Sequence, residues 1–180
     1  MLLADSLVAA ARCAPHSSTG RTILDILCGE RDARAPVRVS PIFLVGVLLS
    51  AAGTSLRMLS FNELGRLFTF DIALRDKHQL VTSGPYAIVR HPAAVGYTLL
   101  WAGLSACLFA RGSWWAEVGI GKSAGGKVVR TVWALLVVQS VLVGCGTMAW
   151  KEERMLRRAF GKEYADYVRR TPKMFVPGIW

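Results

Sequence analysis

A chain of 180 residues suits one domain. Hydrophobic residues make up 53% of it, charged residues only 19%, and mean hydropathy is +0.37, which leaves too little polar surface for an ordinary soluble fold. The net charge of +10 sits beside long uncharged apolar runs, which nucleic-acid modules lack, so the basic residues read as loops facing anionic lipid headgroups.

Residues 1–38 hold Arg12, Arg21, Arg31, Arg34 and Arg38 but no motif, and are read as a poorly defined N-terminal segment. Met1–Ala14 is mildly apolar but contains Asp5 and Arg12, so it is not read as a cleaved signal peptide. Residues 39–180 are expected to form one membrane domain. Its first span is placed at about 41–59, with Arg57 snorkelling to the interface. The second follows at about 93–110, uncharged between His91 and Arg111, with Trp114 and Trp115 as an interfacial belt. The Gly/Ser-rich stretch 112–127 reads as a flexible connection. The third span is placed at 131–150, where Gly144 and Gly146 offer close helix contact. Backbone groups in lipid must be satisfied internally, so each span should be a helix. A C-terminal interfacial helix is expected over 151–170. Leu156, Phe160, Tyr164 and Tyr167 form an apolar stripe on its basic surface, and Pro172 and Pro177 end it.

Three spans put loop 57–91 and tail 151–180 on one side. That side carries 13 Lys and Arg against nine on the other, which places the loop and the tail in the cytoplasm. Cys13, Cys28, Cys107 and Cys145 make no CxxC pair and no Cys/His cluster, so neither a metal site nor a disulfide framework is expected. The ending Pro-Gly-Ile-Trp is not a prenylation signal.

Two segments carry chemistry. Arg90-His91-Pro92 opens the second span, with Pro92 where a missing N–H is tolerated. The free N–H groups of that helix start attract a carboxylate, and His91 and Tyr86 add hydrogen bonds. The other reading is a helix cap beside an interfacial Arg. Glu152 and Glu153 follow the third span by one turn, where carboxylates are costly unless used or paired. They either accept hydrogen bonds from a ligand or pair with arginines such as Arg157 and Arg154. The topology puts both segments on one membrane face, where they are expected to converge on one ligand.

At these residues the sequence resembles the isoprenylcysteine carboxyl methyltransferase family, within the wider group of membrane phospholipid methyltransferases. The matching parts are Leu80-Val81-Thr82-Ser83-Gly84-Pro85-Tyr86, Arg90-His91-Pro92, Gly96, Glu152-Glu153 and Phe160-Gly161-Lys162-Glu163-Tyr164. The stretch that resembles the family runs from about Leu64-Gly65 to Pro177, nearly two-thirds of the chain. The resemblance implies an all-α, multi-pass transmembrane helical bundle, with a cytosolic cofactor site formed by the loop before the second span and the C-terminal helix. It implies S-adenosyl-L-methionine as cofactor, held by His78, Gln79, Leu80, Val81, Tyr86, His91, Pro92, Ala93, Ala94, Glu152 and Glu153. Arg90 would orient the substrate carboxylate. The partner would be the prenylated C-terminal cysteine of other proteins, methylated at the endoplasmic reticulum, with its prenyl tail entering from the lipid bilayer. Neither nucleic acid nor metal is expected.

Two departures stand out. The family pattern Arg-His-Pro-x-Tyr-x-Gly has Ala94 in place of its Tyr, with Tyr97 three residues on. Some members also carry an Arg four residues before the Glu pair, where this chain has Met148. The alternatives are a phospholipid N-methyltransferase, a sterol-reductase-like membrane oxidoreductase using a nicotinamide cofactor, and a degenerate non-catalytic membrane protein.

Overall fold

The computed structural model describes residues 7, 10–11, 17–23, 39–67, 79–117 and 123–175. Within them the chain is all-α, with three helices long and apolar enough to cross a membrane, as expected of a helical membrane bundle. Helix α1 is Pro41–Leu64 and α2 is Pro92–Phe109. A short α3 is Trp114–Glu117. The last long helix runs through α4, Ala124–Val141, a π-helical stretch, Leu142–Met148, and α5, Ala149–Arg170.

Local chemistry sets where these helices begin. Ser40 caps α1 through Oγ to Phe43 N at 3.2 Å, and Pro41 follows at a position that needs no donor. Ser113 Oγ accepts from Ala116 N at the start of α3. Ser123 Oγ accepts from Gly126 N at 3.1 Å, so α4 starts at Ala124 rather than at the first residue of the apolar run, Thr131. A cap of this kind stabilises by about 1 kcal/mol. At 1.5 Å per residue, α1 is about 36 Å long and α2 about 27 Å, against a hydrocarbon core of about 30 Å. The apolar windows of the three helices are 11%, 28% and 0% buried inside the protein, so most of their apolar side chains are left for lipid.

The chain divides into two compact units. The first takes residues up to Ser50 together with Ala102–Leu135. There a Cβ on Gly46 would lie 2.8 Å from Gly103 O, so α1 and α2 touch backbone to backbone. Phe109 packs edge-on against Trp115 and Trp133, and Trp133 Nε1 donates to Ser105 Oγ at 3.1 Å.

The second unit takes Ala51–Trp101 and Leu136–Trp180. Gly53 and Gly96 are its contact between α1 and α2. A Cβ on Gly96 would stand 2.6 Å from Gly53 O. The loop is tied to the end of α1 by Ser83 Oγ, which donates to Glu63 Oε1. A 3-10 turn, Gly84–Ala87, then leads to α2.

Helix α5 differs from a helix lying on the membrane. Tyr164 and Tyr167 of its apolar stripe are 1% and 3% exposed, so that part of the stripe is spent inside the unit. Gly161, at φ 49°, breaks the helical backbone between Phe160 and Tyr164 and changes the direction in which the last turns run.

Candidate cofactor site

The candidate site is built wholly within the second unit. Its floor is the pairing of residues 86–91 with the chain after α5. Arg90 N donates to Lys173 O at 3.0 Å, and His91 N to Met174 O at 3.1 Å. Tyr167 Oη donates to Tyr86 O at 2.8 Å, and Thr171 Oγ1 to Ala87 O at 3.3 Å. These bonds join positions some 80 residues apart in sequence.

Arg90 holds the centre. Its Nε donates to Glu153 Oε1 at 2.7 Å, with both side chains about nine-tenths buried. Its Nη1 donates to Thr171 O at 3.2 Å and Pro172 O at 2.8 Å. Glu153 thus pairs with an arginine, as one of the two readings had it, but with Arg90 across the fold rather than with Arg157 on its own helix. Such a pair is costly to desolvate but more costly to break, because the surviving charge stays buried.

His91 lies between the two glutamates. Nδ1 is 3.3 Å from Glu152 Oε2 and Nε2 is 3.5 Å from Glu153 Oε1. The second approach lacks hydrogen-bond geometry, so Nε2 is buried without a hydrogen-bond partner. Burial pushes the imidazole pKa down, but Glu152 and Glu153 outweigh it and hold the pKa above the usual 6.5. The ring also packs against Phe175, with centroids 5.7 Å apart. Tyr86 is buried, and its phenol is pushed well above its ordinary pKa, first by burial and then by the charge on Glu152. It therefore remains a neutral hydrogen-bonding group across the working range.

The start of α2 is less open than the sequence suggests. Ala94 N and Val95 N both donate to His91 O, at 3.1 and 3.2 Å, and Pro92 has no N–H. The donors expected for a ligand carboxylate are thus largely consumed by the helix itself. Side chains carry the polar edge instead. Glu152 is the open member, with its side chain 46% exposed beside the buried His91.

Of the residues singled out from sequence, Tyr86, Arg90, His91, Pro92, Ala93, Ala94, Glu152 and Glu153 lie in this one unit. Pro92 is fully buried, and Ala93 and Ala94 form the first turn of α2. Gln79 is exposed, Leu80 and Val81 are half-buried and lie outside any helix, and His78 lies outside the described residues. Tyr164, Tyr167 and Thr171 support the site but were not read as part of it. Tyr164 and Tyr167 did show in the apolar stripe, but Thr171 gives no sequence signal at all. Among the described residues no cluster of His, Cys, Asp or Glu suits a metal ion.

Known proteins show the same relationship. A family model described as phospholipid methyltransferase matches residues 41–119. Protein-S-isoprenylcysteine O-methyltransferase B of Arabidopsis thaliana is 27% identical over 137 residues, covering 71% of this chain and 55% of the relative. A probable protein-S-isoprenylcysteine O-methyltransferase of Oryza sativa subsp. indica is 29% identical over 137 residues, covering 71% of this chain and 57% of the relative. These matches support the isoprenylcysteine carboxyl methyltransferase family. The resemblance carried by the motifs is thereby borne out. The chain spans a little over half the length of the curated relatives it matches. No solved structure matches it.

Proposed function

We propose that this chain is a membrane methyltransferase that uses S-adenosyl-L-methionine to esterify the C-terminal carboxylate of prenylated cysteine, on the cytoplasmic face of the endoplasmic reticulum. One observation carries the reading. His91, Glu152 and Tyr86 meet in one unit at the end of two apolar helices, with a buried ring nitrogen unsatisfied and a carboxylate half open. A ligand bearing an ammonium group, hydroxyls and a carboxylate fits that set. Glu152 would accept from the ammonium or the hydroxyls, and His91 Nε2 would donate to the carboxylate. When bound, the cofactor supplies an electrophilic methyl group.

The chain's own part is positioning. Arg90 and Glu153 pair with each other and fasten the segment that carries His91 to α5. The substrate carboxylate is ionised at neutral pH, so no general base is required. A poorly hydrated carboxylate reacts faster when charge is lost in the step, so a site at the end of apolar helices favours it. Arg90 is already committed to Glu153 and two carbonyls, so its place is with the support of the site rather than with the substrate.

The test mixes the purified protein in nanodiscs with methyl-labelled S-adenosylmethionine and a farnesylcysteine analogue. A base-labile methyl ester is expected. Its absence refutes the reading. Glu152→Ala and His91→Ala are each expected to weaken cofactor binding about ten-fold or more, the worth of one charged hydrogen bond. Normal binding by both variants places the cofactor elsewhere. The family model's description favours phospholipid N-methylation as the second reading. Label in lipid headgroups rather than in esters would establish it.

A further inference from the structure

Helix α5 carries a second polar surface, on the side away from the candidate site. Lys151, Arg154 and Arg158 recur at spacings of three and four, so they form one row along the helix. All three are exposed, whereas Glu153, about half a turn round from Lys151, is buried. The acids of this stretch are taken up elsewhere, Glu152 by His91 and Glu153 by Arg90. Among the described residues no carboxylate pairs with Lys151, Arg154 or Arg158. Arg154 and Arg158 stand one turn apart, where like charges destabilise a helix, so the row calls for an anion from outside. Beside it lies an open groove of about 410 Å³, which the three cations line together with Met155 and Ala159.

We propose that this groove binds the headgroup phosphate of an anionic membrane lipid. Depth argues for a lipid rather than a soluble anion. Lys151 directly follows Trp150 at the end of the third candidate span, and Trp150 is 63% exposed, as an interfacial anchor is. At 1.5 Å per residue, Arg154 stands about 5 Å and Arg158 about 10 Å beyond Lys151 along the helix. The headgroup layer on each side of a bilayer is roughly 5–7 Å thick, and long Arg side chains reach back toward it. Guanidinium groups match phosphate oxygens with paired N–H donors, and Lys151 adds a point charge. Met155 and Ala159 supply apolar surface for the lipid's glycerol and the first carbons of its chains. The lipid must carry net negative charge, because a zwitterionic headgroup would bring its own cation into a row of three. Lipid bound there steadies the turns of α5 from which Glu152 and Glu153 reach His91 and Arg90. The groove holds its lipid whichever methyl acceptor the protein takes.

The experiment releases the full chain from nanodiscs of equal phosphatidylglycerol and phosphatidylcholine, and counts the retained lipids by native mass spectrometry. The wild type is expected to retain phosphatidylglycerol over phosphatidylcholine by about ten-fold or more, within the worth of three cations at a lipid surface. The triple variant Lys151→Gln, Arg154→Gln, Arg158→Gln should lower that ratio to about two-fold or less. A control triple, Lys162→Gln, Arg169→Gln, Arg170→Gln, removes the same charge from exposed positions beyond Gly161 and should keep the wild-type ratio. Should the groove triple not fold, the three single substitutions, each expected to lower the ratio about two- to five-fold, carry the same test. No preference in the wild type overturns the proposal, as does an equal loss in the two triples, which shows diffuse attraction only. Displacement of the lipid by millimolar inorganic phosphate assigns the groove to a soluble anion and also overturns it. Groove-dependent binding of a polyglutamate peptide without lipid preference assigns the face to an acidic protein partner and does the same.

Discussion

Replacing Arg90 with alanine should unfasten the chain after α5. The guanidinium makes three bonds there, at 2.7 Å to Glu153 Oε1, 3.2 Å to Thr171 O and 2.8 Å to Pro172 O. The Arg90 and Glu153 side chains are only 10% and 9% exposed, so solvent does little to screen the loss. Breaking one partner of a buried pair costs about 3–5 kcal/mol, because Glu153 is left charged and dry. The pairing of His91 N with Met174 O depends on the same anchor. Local opening should therefore become easier by roughly two to four orders of magnitude, at about 1.4 kcal/mol per factor of ten. Amide hydrogen exchange of the nanodisc-embedded protein reads this directly in fragments covering 86–91 and 171–175. The double substitution Arg90→Met with Glu153→Leu removes both charges, so it should recover most of the lost protection. Protection within about three-fold of the wild type in Arg90→Ala would refute the clamp.

Two further outcomes follow from the geometry. Gly96→Ala drives a methyl against Gly53 O and Arg57, and should cost about 1–3 kcal/mol of stability; Gly146→Ala meets open space and should change the detergent melting temperature little. His91 has its pKa raised above 6.5 by the two glutamates, so its contribution to stability is complete below that value and is lost as pH rises through the folded-state pKa. Melting curves of the wild type and His91→Gln should therefore be furthest apart on the acid side of 6.5 and converge as pH rises through the folded-state pKa; a constant gap would mean that the imidazole stays neutral.

The membrane character, the helical class and the family resemblance were legible in the amino-acid sequence. Long uncharged runs admit only helices in lipid, because each backbone group must find its partner within a few residues. Proline and serine at the helix starts are equally local signals, and the paired motifs at 80–92 and 152–164 carried the resemblance. Tertiary structure alone decided what the charged residues do. Glu153 had nearer arginines on its own helix, yet it pairs with Arg90 across 63 residues. The open start of α2 closed on His91 O, and the stripe assigned to the membrane surface became buried packing at Tyr164 and Tyr167. Arg57 turned toward Ala93 and Tyr97 rather than to water. The physical reason is the range of the forces involved. Helix formation is settled by neighbours along the chain, whereas the partner of a buried charge is set by which segments packing brings within about 3 Å, and no local pattern encodes that distance.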